Sequence, residues 1–220
     1  GTREKRRAEL LDAVRRVYAS TLGAQALRYR ERRGLLGHNE QMALLIMRVS
    51  GTAGRRYFNP HAAGVGLSFN PYPWNPRIDM RAGVVRLVAG LGTRAVDRAD
   101  DDYTRLVALN APELRPEHNF GAIARHSQRR MDTLDLEQDH VVSGPFREFV
   151  ADDDDFPLAL FTSREQDGGP VFLTFDGLLE RTPFAADMRA LLASLHTAYI
   201  LNSFLMLVGG FLVFWMAAGF

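Results

Sequence analysis

The chain contains no cysteine. That excludes disulfide frameworks and thiolate-held metal, and makes a cytoplasmic setting the natural expectation. An excess of charge of one sign is also lacking: 27 Lys and Arg stand against 26 Asp and Glu, a formal net charge of +1. Such balance gives no electrostatic case for nucleic acid as the main partner. No internal repeat and no low-complexity linker is seen, and no secretory leader is expected. The chain opens Gly1-Thr2 without an initiating methionine, the start expected of a fragment or a processed chain. Six histidines (His38, His61, His118, His126, His140, His196) include no pair at metal-binding spacing, so no metal ligands are assigned. Ser68, Ser127 and Ser143 sit in no nucleophile-elbow pattern, and a hydrolase has no residue to rest on.

What is present is enough for a folded core. Apolar residues make up 46% of 220, room for one large or two small domains. Over residues 4–19, Ala8, Leu11, Val14 and Tyr18 recur at three- and four-residue steps among Arg and Glu, which predicts a helix. A second helix is expected over 22–33, closed by Gly34. Residues 42–49 (MALLIMRV) form a near-continuous apolar run of buried-strand length. Gly, Asn and Pro then punctuate the chain through residue 60. Further strands are expected over 63–69, 83–89, 103–109 and 171–175, with 131–136 as a weak edge strand. From Thr182-Pro183 a helix follows, with Phe184, Met188, Leu191, Leu192 and Leu195 on one stripe. The fold class is α+β, a mixed sheet with packed helices.

Four features invite a chemical reading. Gly90-Leu91-Gly92 follows a strand, where glycines let backbone approach a phosphate. It lacks the third glycine of a dinucleotide fingerprint and the GK[ST] of a P-loop, and a structural turn is the plainer reading. Arg28, Arg30, Arg32 and Arg33 cluster on the second helix, either as a solvated face or as clamps for phosphate or carboxylate. Asp152–Asp155 reads as a solvated loop, with a divalent cation site as the alternative. Residues 200–220 carry no charge and are about as long as a bilayer-spanning helix. They form a separate apolar tail, either a membrane helix or a frame-shifted end, after a first region covering 1–199.

Several segments, taken in order, resemble the nucleotide-binding domain of phosphoenolpyruvate (PEP) synthase and pyruvate phosphate dikinase. AVRRVYASTLGAQALRYRERRGL (13–35) is similar to a helix pair of that domain and MALLIMRV (42–49) to its central strand. AGVGLSFNP (63–71) is similar to its SGVaFtrnP segment, and GVVRLVAGLGTRAVDR (83–98) to its strand and GLG loop. DDYTRLVALNAP (101–112) and VFLTFDGLLERTPF (171–184) match stretches of a large bacterial variant, so the resemblance spans about residues 8–199.

The resemblance implies part of an ATP-grasp fold that uses ATP and Mg²⁺ to phosphorylate a histidine, which then phosphorylates pyruvate. Position by position it implies nucleotide contacts at Met47 (where the family has glutamine), Arg48, Gly64, Val65, Gly90 and Gly92. Thr93 replaces a common glutamate. The family's preceding lobe, its phosphohistidine domain and its PEP/pyruvate domain have no counterpart among these residues. Nor does the glutamate strand that holds Mg²⁺: Ile200 and the apolar tail stand in its place. The implied partners are ATP and those absent domains, with membrane contact through 200–220 as an alternative. The isolated chain is expected to be inactive.

Overall fold

The computed structural model describes residues 2–39, 43–46, 48–96, 102–166, 168–202 and 212–216, for 196–202 and 212–216 the backbone alone. The chain divides into two units, Gly1–Arg48 and Val49–Phe220.

The first unit holds α1 (Arg3–Ser20) and α2 (Ala24–Arg32). The Thr2 hydroxyl caps α1 by accepting from the Lys5 amide at 3.3 Å. Gly34, at φ +67°, follows α2 in the left-handed conformation that closes helices. Neither helix buries a residue, so local propensity and capping account for them without a core. In the arginine cluster, Arg30 donates to the His38 carbonyl at 2.9 Å and Arg33 lies over the Tyr29 ring, so these two serve local structure.

The strand expected at 42–49 is not found. Residues 43–46, 48 and 49 carry no regular structure, and Leu45 and Ile46 are 82% and 65% exposed. A short apolar run becomes a buried strand only where neighbouring strands pair with it, and none of the described strands does.

In the second unit the strands β1 (Thr52–Ala53), β2 (Tyr57–Asn59), β3 (Ala62–Leu67) and β4 (Val84–Val88) come first. A short helix α3 (Thr93–Val96), β5 (Arg105–Ala108) and α4 (Phe120–Arg125) follow, then β6 (Arg130–Asp135) and β7 (His140–Pro145). Next come α5 (Phe146–Val150), α6 (Leu158–Phe161), β8 (Thr162–Ser163) and β9 (Phe172–Leu173). The unit continues with α7 (Asp176–Arg181), α8 (Phe184–Asn202) and β10 (Leu212–Met216). One sheet runs β1-β2-β6-β7, a second β10-β3-β4-β5, and β8 pairs with β9.

The α+β class holds. The pairing differs from the mixed sheet expected: every described strand pair is antiparallel. Parallel neighbours need a long crossover, whereas here β3, β4 and β5 neighbour one another in chain order. The segment at 131–136 is no edge strand, since β6 lies between β2 and β7.

The main core joins Val85, Leu87 and Val107 of the second sheet to Met131 of the first, to Phe146, Phe149, Phe161 and Phe175, and to Phe184, Met188 and Leu192 of α8. Each such side chain contributes roughly 1.5–3 kcal/mol when fully buried. Leu195, placed on the same stripe from sequence, is 36% exposed.

A single apolar helix over 200–220 is not what the structure shows. Helix α8 reaches Asn202, and Leu212–Met216 pairs with β3 from Leu212↔Gly66 to Met216↔Ala62. The Leu-Val-Phe-Trp-Met sequence is rich in residues that suit an extended strand. No helix among the described residues is long and apolar enough to cross a membrane.

Candidate functional site

Of the six residues implicated by sequence, Met47 lies outside the described residues. Arg48 is exposed and belongs to the first unit. The other four lie in the second sheet and its outgoing loop. Gly64 pairs with Leu87 and Val65 with Arg86, in mid-sheet. Gly64 is required by close approach: a Cβ there would collide with the Arg86 carbonyl oxygen. Val65 is buried with Ala63, Val88 and Ala95, which joins β3, β4 and α3 in one small apolar cluster. The structure thus brings Val65 and the glycine turn into one neighbourhood through Ala95.

Gly90 and Gly92 adopt φ +90° and +82°, a backbone that side chains rarely take. Around Gly90 the space is filled, since a Cβ would meet Met131 Cγ and, at 2.5 Å, the Asp132 carbonyl oxygen. The Leu91 amide donates to that same oxygen at 2.9 Å. Just before the turn, the Ala89 amide donates to Gln128 Oε1 at 2.7 Å, and Gln128 Nε2 donates to the Ala89 and Arg130 carbonyls. Just after it, the Thr93 hydroxyl and Arg94 Nε both donate to the Asp132 carboxylate, Arg94 at 3.0 Å. Arg94 also reaches Asp102 (2.9 Å) and Ser143 Oγ (2.7 Å). Burial alone would raise the Asp132 pKa, but the Thr93 and Ser143 hydroxyls and Arg94 outweigh it and hold the carboxyl below its ordinary range. The glycine turn is therefore fastened from β6.

Sequence reasoning did not single out Gln128, Asp132 or Arg94. The only local sign was the Gly90-Leu91-Gly92 turn, while its partners Gln128 and Asp132 lie 39 residues away from Ala89 and Thr93 in sequence.

The aspartate run also does more than face water. The Asp152 carboxylate accepts from the Arg56 and Tyr57 amides at 2.9 Å each and fastens the β1–β2 turn. Asp153 is buried and lies 3.1 Å from His61 Nε2. Asp154 and Asp155 are exposed. A further polar cluster surrounds Arg105, whose guanidinium is buried and donates to the Leu106 and Pro112 carbonyls. Desolvation, then the neighbouring positive charge of Arg115, lowers its pKa to about 10. It stays charged at neutral pH, and Arg115 itself is paired with Asp176.

Among the described residues no group of three or more His, Asp or Glu side chains could hold a metal ion. The carboxylates gathered just after the glycine turn, Asp132 and Asp102, are both engaged by Arg94. These residues do not fit the Mg²⁺ that the resemblance implied, and no step is assigned to it.

The pyruvate phosphate dikinase AMP/ATP-binding domain matches residues 4–144, well over half of the chain. The chain belongs to that family. The match covers β3, β4 and the glycine turn, so these elements are part of an AMP/ATP-binding domain of the pyruvate phosphate dikinase type. No curated protein and no solved structure matches the chain.

Proposed function

We propose that the chain is part of the nucleotide-binding portion of a PEP synthase or pyruvate phosphate dikinase-like phosphotransferase of ATP-grasp type. The parent enzyme would pass a phosphoryl group from ATP to a histidine and on to pyruvate. The observation that carries this reading is the family match across the turn whose two glycines, Gly90 and Gly92, adopt positive φ. In this reading Gly64, Val65, Gly90 and Gly92 supply a flat backbone surface that a nucleotide can approach closely, with Arg48 and Met47 as further contacts. The role of the chain's own residues is binding and positioning, which is what phosphoryl transfer chiefly asks of the protein.

The full chain is expected to show no turnover, because no metal-binding carboxylate set is found among the described residues. A coupled assay of ATP consumption with and without pyruvate tests this. Pyruvate-dependent consumption by the purified chain would overturn it.

One observation favours a second reading, a non-catalytic module of the same family. The Leu91 amide and the Thr93 and Arg94 side chains are all directed to Asp132, as in a purely structural turn. Gly92→Val in a full-length parent enzyme separates the two. A bulky side chain there lowers ATP affinity if the turn lies against the nucleotide, and leaves it unchanged if the turn only joins β4 to α3. A membrane tether finds no support among the described residues.

A further inference from the structure

At the other end of β4 a cleft of about 610 Å³ opens between the loop after β3 and helix α8. It is lined by Ser68, Phe69, Asp79, Arg81, Arg189 and Leu192, with other residues at its margin. We propose that this cleft binds a small organic anion, a phosphate monoester or a carboxylate, that also carries a hydroxyl or amino group.

Charge is the first argument. Arg81 and Arg189 approach the cleft from two elements, a 3-10 turn (Met80–Ala82) and α8. Neither guanidinium has a hydrogen-bond or ion-pair partner among the described residues. The neighbourhood does not lack acid, since Arg77 pairs with Glu113 at 2.8 Å. Two planar donor forks facing one space suit a single oxyanion that both can grip.

Order is the second argument. The Asp79 carboxylate accepts from the Arg81 amide at 2.9 Å, and the Asp79 amide donates to Asn110 Oδ1 at 3.1 Å. Asn110 in turn donates to the Arg77 carbonyl at 2.9 Å. Beside this turn the backbone amide of buried Asn70 donates to the Met80 carbonyl at 2.8 Å, which fixes the residue next to Phe69. A rim held before a ligand arrives loses little entropy on binding.

Chemical variety is the third. Phe69, about half exposed, gives a flat apolar wall, and Leu192 extends the apolar lining. Ser68 and Asp79 add a hydroxyl and a carboxylate, suited to a hydroxyl or ammonium on the ligand. The volume lies within the roughly 300–1,000 Å³ of small-molecule sites. The site is separate from the glycine turn: the five residues of β4 put about 17 Å between the two ends of the strand. The proposal therefore stands or falls independently of the nucleotide reading.

Calorimetric titration of the full chain with O-phosphoserine and, separately, with malate tests it and distinguishes a phosphate from a carboxylate ligand. The expected result is one-to-one saturable binding of at least one of the two. Arg81→Gln and Arg189→Gln each weaken it by about tenfold, and the double variant abolishes it. Both side chains are exposed, and an unchanged circular dichroism spectrum confirms that the variants fold. No saturable binding of either probe, or binding that survives in the double variant, overturns the proposal.

Discussion

The two ends of β4 differ in how fully their polar groups are satisfied. At the Val88 end the Ala89 amide and carbonyl, the Leu91 amide, Thr93 and Arg94 all find partners on Gln128 or Asp132. At the Val84 end the Arg81 and Arg189 guanidinium groups line a cleft and have no hydrogen-bond or ion-pair partner among the described residues. The difference separates a turn held for geometry from a cleft whose charges remain available. It also shows why a glycine motif by itself says little about ligands. Gly90 is explained by Met131 and the Asp132 carbonyl before any nucleotide is considered.

Substitutions that break the fastened end carry the largest expected effect. Gly90→Ala combines an unfavourable φ with a collision against β6 and is expected to lower stability by roughly 3 kcal/mol or more in urea unfolding. A loss under about 0.5 kcal/mol would show that β6 and the turn are loosely coupled. Gln128→Leu leaves the Ala89 amide and two carbonyls without their partner, at a cost of roughly 2 kcal/mol in the same measurement.

Asp132→Asn is expected to cost less, roughly 1–2 kcal/mol at neutral pH, and to change the pH profile. Because folded Asp132 is held below the ordinary carboxylate range, its contribution is fully present above the unfolded pKa. It is lost as pH falls through the folded pKa. Unfolding followed from about pH 5 to pH 2 should therefore show a steeper decline for the native chain than for the variant. Equal slopes would mean that Arg94 and the two hydroxyls do not favour the ionised form. At the open end the effect on stability is expected to be smallest. Arg81→Gln and Arg189→Gln should each change it by less than about 0.5 kcal/mol, since neither removes a hydrogen bond or ion pair seen among the described residues.

The same contrast governs what could be read in the sequence. Strands β3, β4 and β5 were legible because AGVGL, VVRLV and RLVA are apolar runs bounded by turn residues. Helices α1 and α2 were legible from periodicity and from Gly34. MALLIMRV carries the same kind of signal yet leaves Leu45 and Ile46 exposed, because an apolar run records a preference for burial and not a partner. Strands β1 and β2 were hidden by the glycines, Asn59 and Pro60 around them, and β7 by the weak alternation of HVVSGP. The site was less legible than the sheet. Gln128, Asp132 and Asp152 act on residues 38 to 96 positions away, a distance at which local pattern carries no information. Asp152 and Asp153 looked like the solvated Asp154 and Asp155 beside them, although the fold uses the first two internally.

The most direct test of the chain's place in an AMP/ATP-binding domain is calorimetric titration of Mg-ATP into the full chain, repeated with Gly92→Val. One-to-one saturable binding that the substitution weakens is the expected result. Binding indifferent to Gly92→Val would contradict the nucleotide role of the turn and leave the non-catalytic reading in its place, and a folded chain with no heat of binding would show that it holds no nucleotide site of its own.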